Sequence, residues 1–144
     1  MFNNTIGGDL SFLAAGSSGT ASETALTSSS AGTGAGTITI TGNLIINAGA
    51  SNKFGLHRSG STGVQTSCNL IIARDLRITQ GTVDLQINSG IPSQWNVKGN
   101  FTFSGGTLMS TKTGGYLNFN GISGTQSYSK TGVFRILAST FNKD

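Results

Sequence analysis

Charge is scarce in this chain. Only 10% of its 144 residues are Asp, Glu, Lys or Arg, and 9 basic against 5 acidic residues leave a formal net charge of +4. The basic residues are scattered from Lys53 to Lys143, with no block of like charge and no aromatic interleaving. That pattern argues against nucleic-acid binding. Cysteine is nearly absent. The single Cys68 cannot form an internal disulfide, and no CxxC or Cys/His spacing offers a zinc site. Cys68 reads as a small residue leading into a strand at 69–72. Proline occurs once, and hydrophobic residues make up 35%, little for a globular core. No apolar run approaches a membrane span, Leu70-Ile71-Ile72-Ala73 being among the longest. The first nine residues have neither a basic region nor a long apolar stretch, so they do not read as a secretory signal. No convincing amphipathic helix is found. The one helix-length candidate, Ala21 to Ala25, is short and sits in a Ser/Gly/Thr-rich run.

Glycine is abundant, at 22 residues, and it recurs at fixed places in a repeated phrase. The phrase reads apolar-x-apolar-x-Gly-Asn-apolar-x-apolar-x-x-Gly. The first copy uses Ile38, Ile40, Gly42, Asn43, Leu44, Ile46 and Gly49. The second uses Leu70, Ile72, Arg74, Asp75, Leu76, Ile78 and Gly81; the third uses Trp95, Val97, Gly99, Asn100, Phe101, Phe103 and Gly106. The offset from first apolar residue to final Gly is 11 in each copy, and successive copies start 32 and 25 residues apart. Self-similarity on this scale points to a solenoid, propeller or array.

The period inside the phrase is two, which indicates short half-buried strands meeting at a corner. Gly reaches positive φ freely and Asn or Asp tolerates it, which gives the corner a physical cause. A third strand is expected after the final Gly, at Thr82-Val83-Asp84-Leu85 and Thr107-Leu108-Met109. Phe54, Leu56 and Val64, in the insertion 51–67, would supply it in the first copy. Three strands and three bends per turn describe an all-β, right-handed parallel β-helix with about four rungs. Ile38 would stack on Leu70 and Trp95, and Leu44 on Leu76 and Phe101, along one continuous core. A β-sandwich is the rival; the β-helix requires Ile40 beside Ile72 and Ile72 beside Val97.

Three segments follow. Residues 1–36 hold a weak strand, Leu10-Ser11-Phe12-Leu13, followed by low-complexity Gly/Ser/Thr/Ala sequence, and are read as a linker or a small-residue first rung. Residues 37–137 carry the β-helix repeats, the last degraded at Tyr116–Gly121, Gln126–Ser129 and Phe134–Leu137. Residues 138–144 are a tail or the start of a further rung. Gly42, Asn43, Asp75, Gly99 and Asn100 are assigned as structural corner residues.

Gly99-Asn100-Phe101-Thr102-Phe103-Ser104-Gly105-Gly106-Thr107-Leu108, then Leu117–Gly121 and Gly124-Thr125-Gln126-Ser127-Tyr128, resembles a known repeat. It is similar to the "GNFTxSGGT … LNFNGxGTQTY" repeats of large secreted surface proteins of Bacteroidetes-type bacteria, over about residues 37–137. The resemblance implies an adhesin-like, non-enzymatic segment of a longer exported chain, extracellular or on the cell surface. Many such chains are type 9 secretion substrates. Arg74 departs from the family's Gly and suggests a reshaped corner.

An enzymatic β-helix needs carboxylates gathered on one face. The carboxylates here are Asp9, Glu23, Asp75, Asp84 and Asp144. Asp75 aligns with Asn43 and Asn100 and is expected to bond to backbone amides or a neighbouring Asn. Asp84 lacks a partner unless Asp75 lies across the turn, and His57 with Arg58 reads as an ordinary exposed loop pair. No GxSxG, HExxH, P-loop or calcium nonapeptide occurs. The reading is therefore no catalytic, cofactor or metal site. A Thr37-x-Thr39-x-Thr41 face does not propagate, since position 39 becomes Ile71 and Asn96. Aromatic residues such as Trp95, Tyr116 and Tyr128 are candidates for stacking on sugars, although Trp95 occupies a core position. The expected partners are further rungs of a longer polypeptide or a protein of the export or surface apparatus, with cell-surface glycans as candidate ligands. At least one end of the segment is expected to be covered by such a partner.

Overall fold

The phrase dictates a chain that turns after every few residues. The computed structural model describes residues 2–13, 23–26, 35–57, 67–87, 91–121, 126–136 and 141–143. The described residues form strands and turns with no helix. A first circuit comprises β1 (Phe2–Ile6), β2 (Leu10–Leu13) and β3 (Glu23–Ala25). The second comprises β4 (Ala35–Ile40), β5 (Leu44–Asn47) and β6 (Lys53–Gly55), and the third β7 (Ser67–Ile72), β8 (Leu76–Gln80) and β9 (Thr82–Asp84). The fourth comprises β10 (Ser93–Val97), β11 (Phe101–Phe103) and β12 (Thr107–Ser110). The fifth comprises β13 (Gly115–Phe119), β14 (Tyr128–Lys130) and β15 (Val133–Ile136), and β16 (Phe141–Lys143) follows.

Each circuit contributes one strand to each of three sheets. The first sheet has the order β1-β4-β7-β10-β13-β16; the others are β14-β11-β8-β5-β2 and β15-β12-β9-β6-β3. Every pairing is parallel. The arrangement is solenoid-like: the chain visits the three sheets in turn and advances one strand per visit. Five such circuits lie among the described residues, against about four expected. The additional circuit comes from residues 1–36, where β1, β2 and β3 pair with β4, β5 and β6. Part of the phrase stands there: Ile6, Gly8, Asp9, Leu10 and Phe12 occupy the places of Ile40, Gly42, Asn43, Leu44 and Ile46.

The register puts like residues over like. Ile40 pairs with Ile72 and Ile72 with Val97; Ile38, Leu70 and Trp95 form a second column. Leu44, Leu76 and Phe101 stack in the second sheet, and Phe54, Val83 and Leu108 in the third. These columns meet in one buried core. Period-two alternation fills it, since β4 and β7 both bury every second residue. Phe54 packs 4.3 Å from Phe12 and meets the Trp95 ring edge-on at 5.9 Å. The Trp95 indole N–H donates to the Leu85 carbonyl at 3.2 Å, so the ring spans the core with its one polar atom satisfied.

The glycines divide into two kinds, which corrects the expected corner chemistry. Gly49, Gly81 and Gly106, the final residues of the phrases, have positive φ of 78°, 98° and 87°. Gly42 and Gly99 do not, although Gly8 at the equivalent corner of the first circuit has φ of 88°, and no described non-glycine residue has positive φ. At Gly99 the constraint is close approach: a Cβ there would lie 2.5 Å from Asp75 Oδ1 and 2.6 Å from the Arg74 carbonyl carbon. Arg74, expected to reshape its corner, keeps the stacked pattern. Its N–H donates to Gly42 O at 3.2 Å and its carbonyl accepts from Gly99 N–H at 3.0 Å. Val64 and Leu137, expected in strands, lie outside the described residues, as does Arg58.

Two substitutions test this packing. Trp95→Ala is expected to destabilise the chain by about 3–5 kcal/mol through the cavity it leaves. Gly106→Ala is expected to cost roughly 1–3 kcal/mol, because positive φ is combined with contact against the Gly81 backbone. Urea unfolding monitored by circular dichroism measures both.

Candidate functional site

The corner between the first and second sheets holds the most regular polar feature of the molecule. A chain leaving one sheet for the next turns a backbone N–H along the stacking direction, where only the adjacent circuit can accept it. Asp9, Asn43, Asp75, Asn100 and Ser127 stand at equivalent points of five circuits. The Asn43 N–H donates to Asp9 Oδ1 at 2.7 Å, and the Asp75 N–H to Asn43 Oδ1 at 3.1 Å. The Asn100 N–H donates to Asp75 Oδ1 at 2.9 Å, and the Ser127 N–H to Asn100 Oδ1 at 3.0 Å. The side-chain oxygen of one circuit thus accepts the main-chain proton of the next. This is the bonding expected for Asp75, and it gives Asn43 and Asn100 the same role. The Asn43 amide also donates to both Asp9 oxygens, at 3.1 and 3.2 Å.

Two acids follow from that ladder. The Asn43 N–H, and then its side-chain amide, hold the Asp9 carboxyl below its ordinary 3.8. The Asn100 N–H, and then the Arg77 guanidinium 3.0 Å away, do the same for Asp75. Both act by hydrogen-bonding the charged form. Gln126 closes a neighbouring bend. Its amide donates to the Val97 and Gly99 carbonyls at 2.9 and 2.6 Å, and its oxygen accepts the Gly121 N–H at 3.0 Å.

Asp84 has partners that its sequence position hides. Its carboxylate is fully buried, with Lys53 Nζ 3.5 Å from Oδ2. The Thr111 N–H donates to Oδ1 at 2.9 Å, and the Thr111 hydroxyl donates to Oδ2. Lys53 belongs to β6, Asp84 to β9, and Thr111 follows β12, so one carboxylate ties three circuits together. Gly55 and Asp84 are register partners; aligning Lys53-Phe54-Gly55 with Thr82-Val83-Asp84 was the signal that could have shown it.

His57 corrects another expectation. It is 3% exposed, not an exposed loop residue, and burial pulls its pKa below the ordinary 6.5. Cys68 is fully buried within β7, where burial pushes its thiol up to about 11 and leaves it unreactive. In the sequence Asn96 reads only as an interruption of the threonine face. Its amide donates to Asn69 Oδ1 and, at 3.3 Å, to the Leu70 carbonyl. Its oxygen accepts from the Asn118 and Asn120 amides, both at 3.1 Å. An isolated Asn is a weak signal; the register that puts Asn96 beside Asn118 gives it meaning.

The structure does not bring the acids to one place. Asp9 and Asp75 lie along one corner, Asp84 is enclosed elsewhere, and Glu23 is on β3; Asp144 lies outside the described residues. Among the described residues no three of His, Cys, Asp and Glu gather as a metal would require. Comparison with protein-family models, curated proteins and solved structures finds no match to this chain.

Asp75→Asn keeps the oxygen that accepts the Asn100 N–H and loses only a solvent-facing ion pair, so a change within about 0.5 kcal/mol is expected. Asp75→Ala removes the acceptor and is expected to cost about 1 kcal/mol. A pair of urea titrations separates the two. Acid should weaken the fold in two windows. Native His57 resists protonation, so stability is lost as pH falls below 6.5, where the unfolded chain takes up a proton first. The depressed acids Asp9 and Asp75 contribute stability above 3.8 that is lost as pH falls further. His57→Gln is expected to remove the upper window alone, read as the unfolding midpoint against pH.

Proposed function

We propose that this chain is a non-catalytic, right-handed parallel β-helix segment of a secreted or cell-surface bacterial protein, adhesin-like or a structural stalk. The observation that carries the reading is the use made of its polar residues. Asp9, Asn43, Asp75 and Asn100 bond one circuit to the next, and Asp84 joins three. Carboxylates committed to backbone amides and a lysine are not disposed as a general acid facing a base across a cleft. The right-handed sense is supported by the strong preference of parallel crossover connections for that hand. The wording of the repeat between Gly99 and Tyr128, resembling repeats of exported surface proteins, supports the compartment and the longer polypeptide. Further rungs of that polypeptide, or a protein of its export apparatus, are the natural partners of the terminal strands.

A polysaccharide-cleaving β-helix is the competing reading. The purified chain, incubated with neutral and acidic polysaccharides, is expected to release no reducing ends above a heat-denatured control. Turnover lost in Asp84→Asn or Asp75→Asn while the fold persists would overturn the proposal.

A further inference from the structure

The six-stranded sheet has an outer face unlike those of the other two. Burial alternates along β4 and β7, which sends Ile38, Ile40, Leu70 and Ile72 inward and Thr37, Thr39, Asn69 and Ile71 outward. The register then carries the outward columns across the sheet. Thr37 stands beside Asn69, Gln94 and Tyr116; Thr39 stands beside Ile71, Asn96 and Asn118. Not one outward position of β1, β4, β7, β10 or β13 holds an Asp, Glu, Lys, Arg or His. The second sheet presents Arg77 on its outer face and the third presents Lys53.

We propose that this face binds a neutral, hydroxyl-rich polysaccharide. The inference rests on the adhesin-like reading above and names the surface and the ligand class. The amides of Asn69, Gln94 and Asn118, exposed or half-buried, offer donors and acceptors, the complement of vicinal hydroxyls, while buried Asn96 serves only to hold its neighbours. The Tyr116 ring adds an aromatic body with a polar tip, suited to the apolar face of a sugar ring. Parallel strands space equivalent groups about 4.8 Å apart across the sheet and about 6.6 Å apart along it, which makes a regular polar lattice for a repeating polymer. The lattice is held in place beforehand. Asn96 is fixed at both ends of its amide and clamps Asn69 on one side and Asn118 on the other, which lowers the cost of ordering these groups on binding.

Charge and polarity exclude the other polymers. An acidic glycan or a nucleic acid is held by cations, and the outward positions of β1, β4, β7, β10 and β13 have none. Lys98 follows β10 at the rim and places its Nζ on the Asn120 carbonyl at 3.2 Å. A protein partner needs an apolar centre of large side chains, and Ile71 and Tyr116, both half-buried, do not make one.

The test is co-sedimentation of the 144-residue chain with insoluble glucan, mannan and chitin. About 0.5 M NaCl removes non-specific attraction to the basic chain. Binding to at least one of these polymers is expected, and alginate beads are expected to retain none. Gln94 is exposed, so Gln94→Glu and Gln94→Lys leave the unfolding midpoint unchanged. Both are expected to weaken binding roughly tenfold, since either charge must be desolvated against a neutral ligand. Tyr116→Ala is expected to weaken it similarly, and Thr102→Lys, on β11 of the second sheet, to leave it intact. The proposal fails if no neutral polysaccharide binds, if one charge sign strengthens binding, or if Thr102→Lys abolishes it. It also fails if the face instead mediates a dimer that Gln94→Glu dissociates in sedimentation. Those failures leave the non-catalytic segment standing, whereas release of reducing ends would overturn that reading without touching the binding result.

Discussion

Everything in this molecule depends on the neighbouring circuit accepting what each turn leaves unbonded. A parallel strand has no hairpin partner, so its N–H and C=O groups must pair with strands from the circuits before and after. The same demand continues through the corners. There the Gly42 N–H bonds Gly8 O, the Arg74 N–H bonds Gly42 O, and the Gly99 N–H bonds Arg74 O, at 2.9–3.2 Å. The Asp9, Asn43, Asp75, Asn100 and Ser127 ladder completes what main chain alone leaves undone. Once the stacking direction carries all these bonds, side chains at equivalent positions are forced into columns. A column of isoleucine, leucine and phenylalanine is then the economical core.

That constraint also explains how so little hydrophobic sequence closes a core. Inward positions are shared among three sheets, and each residue rests on its counterparts above and below. Trp95 and Phe54 are the exceptions that give the interior its shape. Both are fully buried, and the two rings meet edge-on between the first and third sheets. The glycines serve the corners in two ways, by reaching positive φ, as Gly8, Gly49, Gly81, Gly106 and Gly114 do, and by admitting a neighbouring backbone, as Gly42 and Gly99 do.

The polar residues are distributed by the same geometry. Those at corners bond along the stack; Asp84 is enclosed and ties Lys53 to Thr111. Those on the outer face of the six-stranded sheet remain uncharged and partly bond one another. Conformation and surface chemistry are therefore set by one repeating decision, which residue faces in and which faces out, made anew on each circuit.

The sequence by itself determined the strand period, the corner between first and second strands, and the identity of the stacked core residues. Ile40, Ile72 and Val97 were legible as neighbours because a constant spacing and an alternating pattern survive translation from circuit to circuit. Asp75 was legible as a corner residue because it stood where Asn43 and Asn100 stood. Only the tertiary structure decided the rest. Within residues 1–36 the strand Leu10–Leu13 was legible, but β1 and β3 are held by pairing with the second circuit, which Phe2–Ile6 and Glu23–Ala25 alone do not announce. The partners of Asp84 and Asn96 lie 22 to 31 residues away, on circuits of unequal length, so their meeting depends on register. The burial of His57 is likewise a property of the assembled chain that no local pattern encodes.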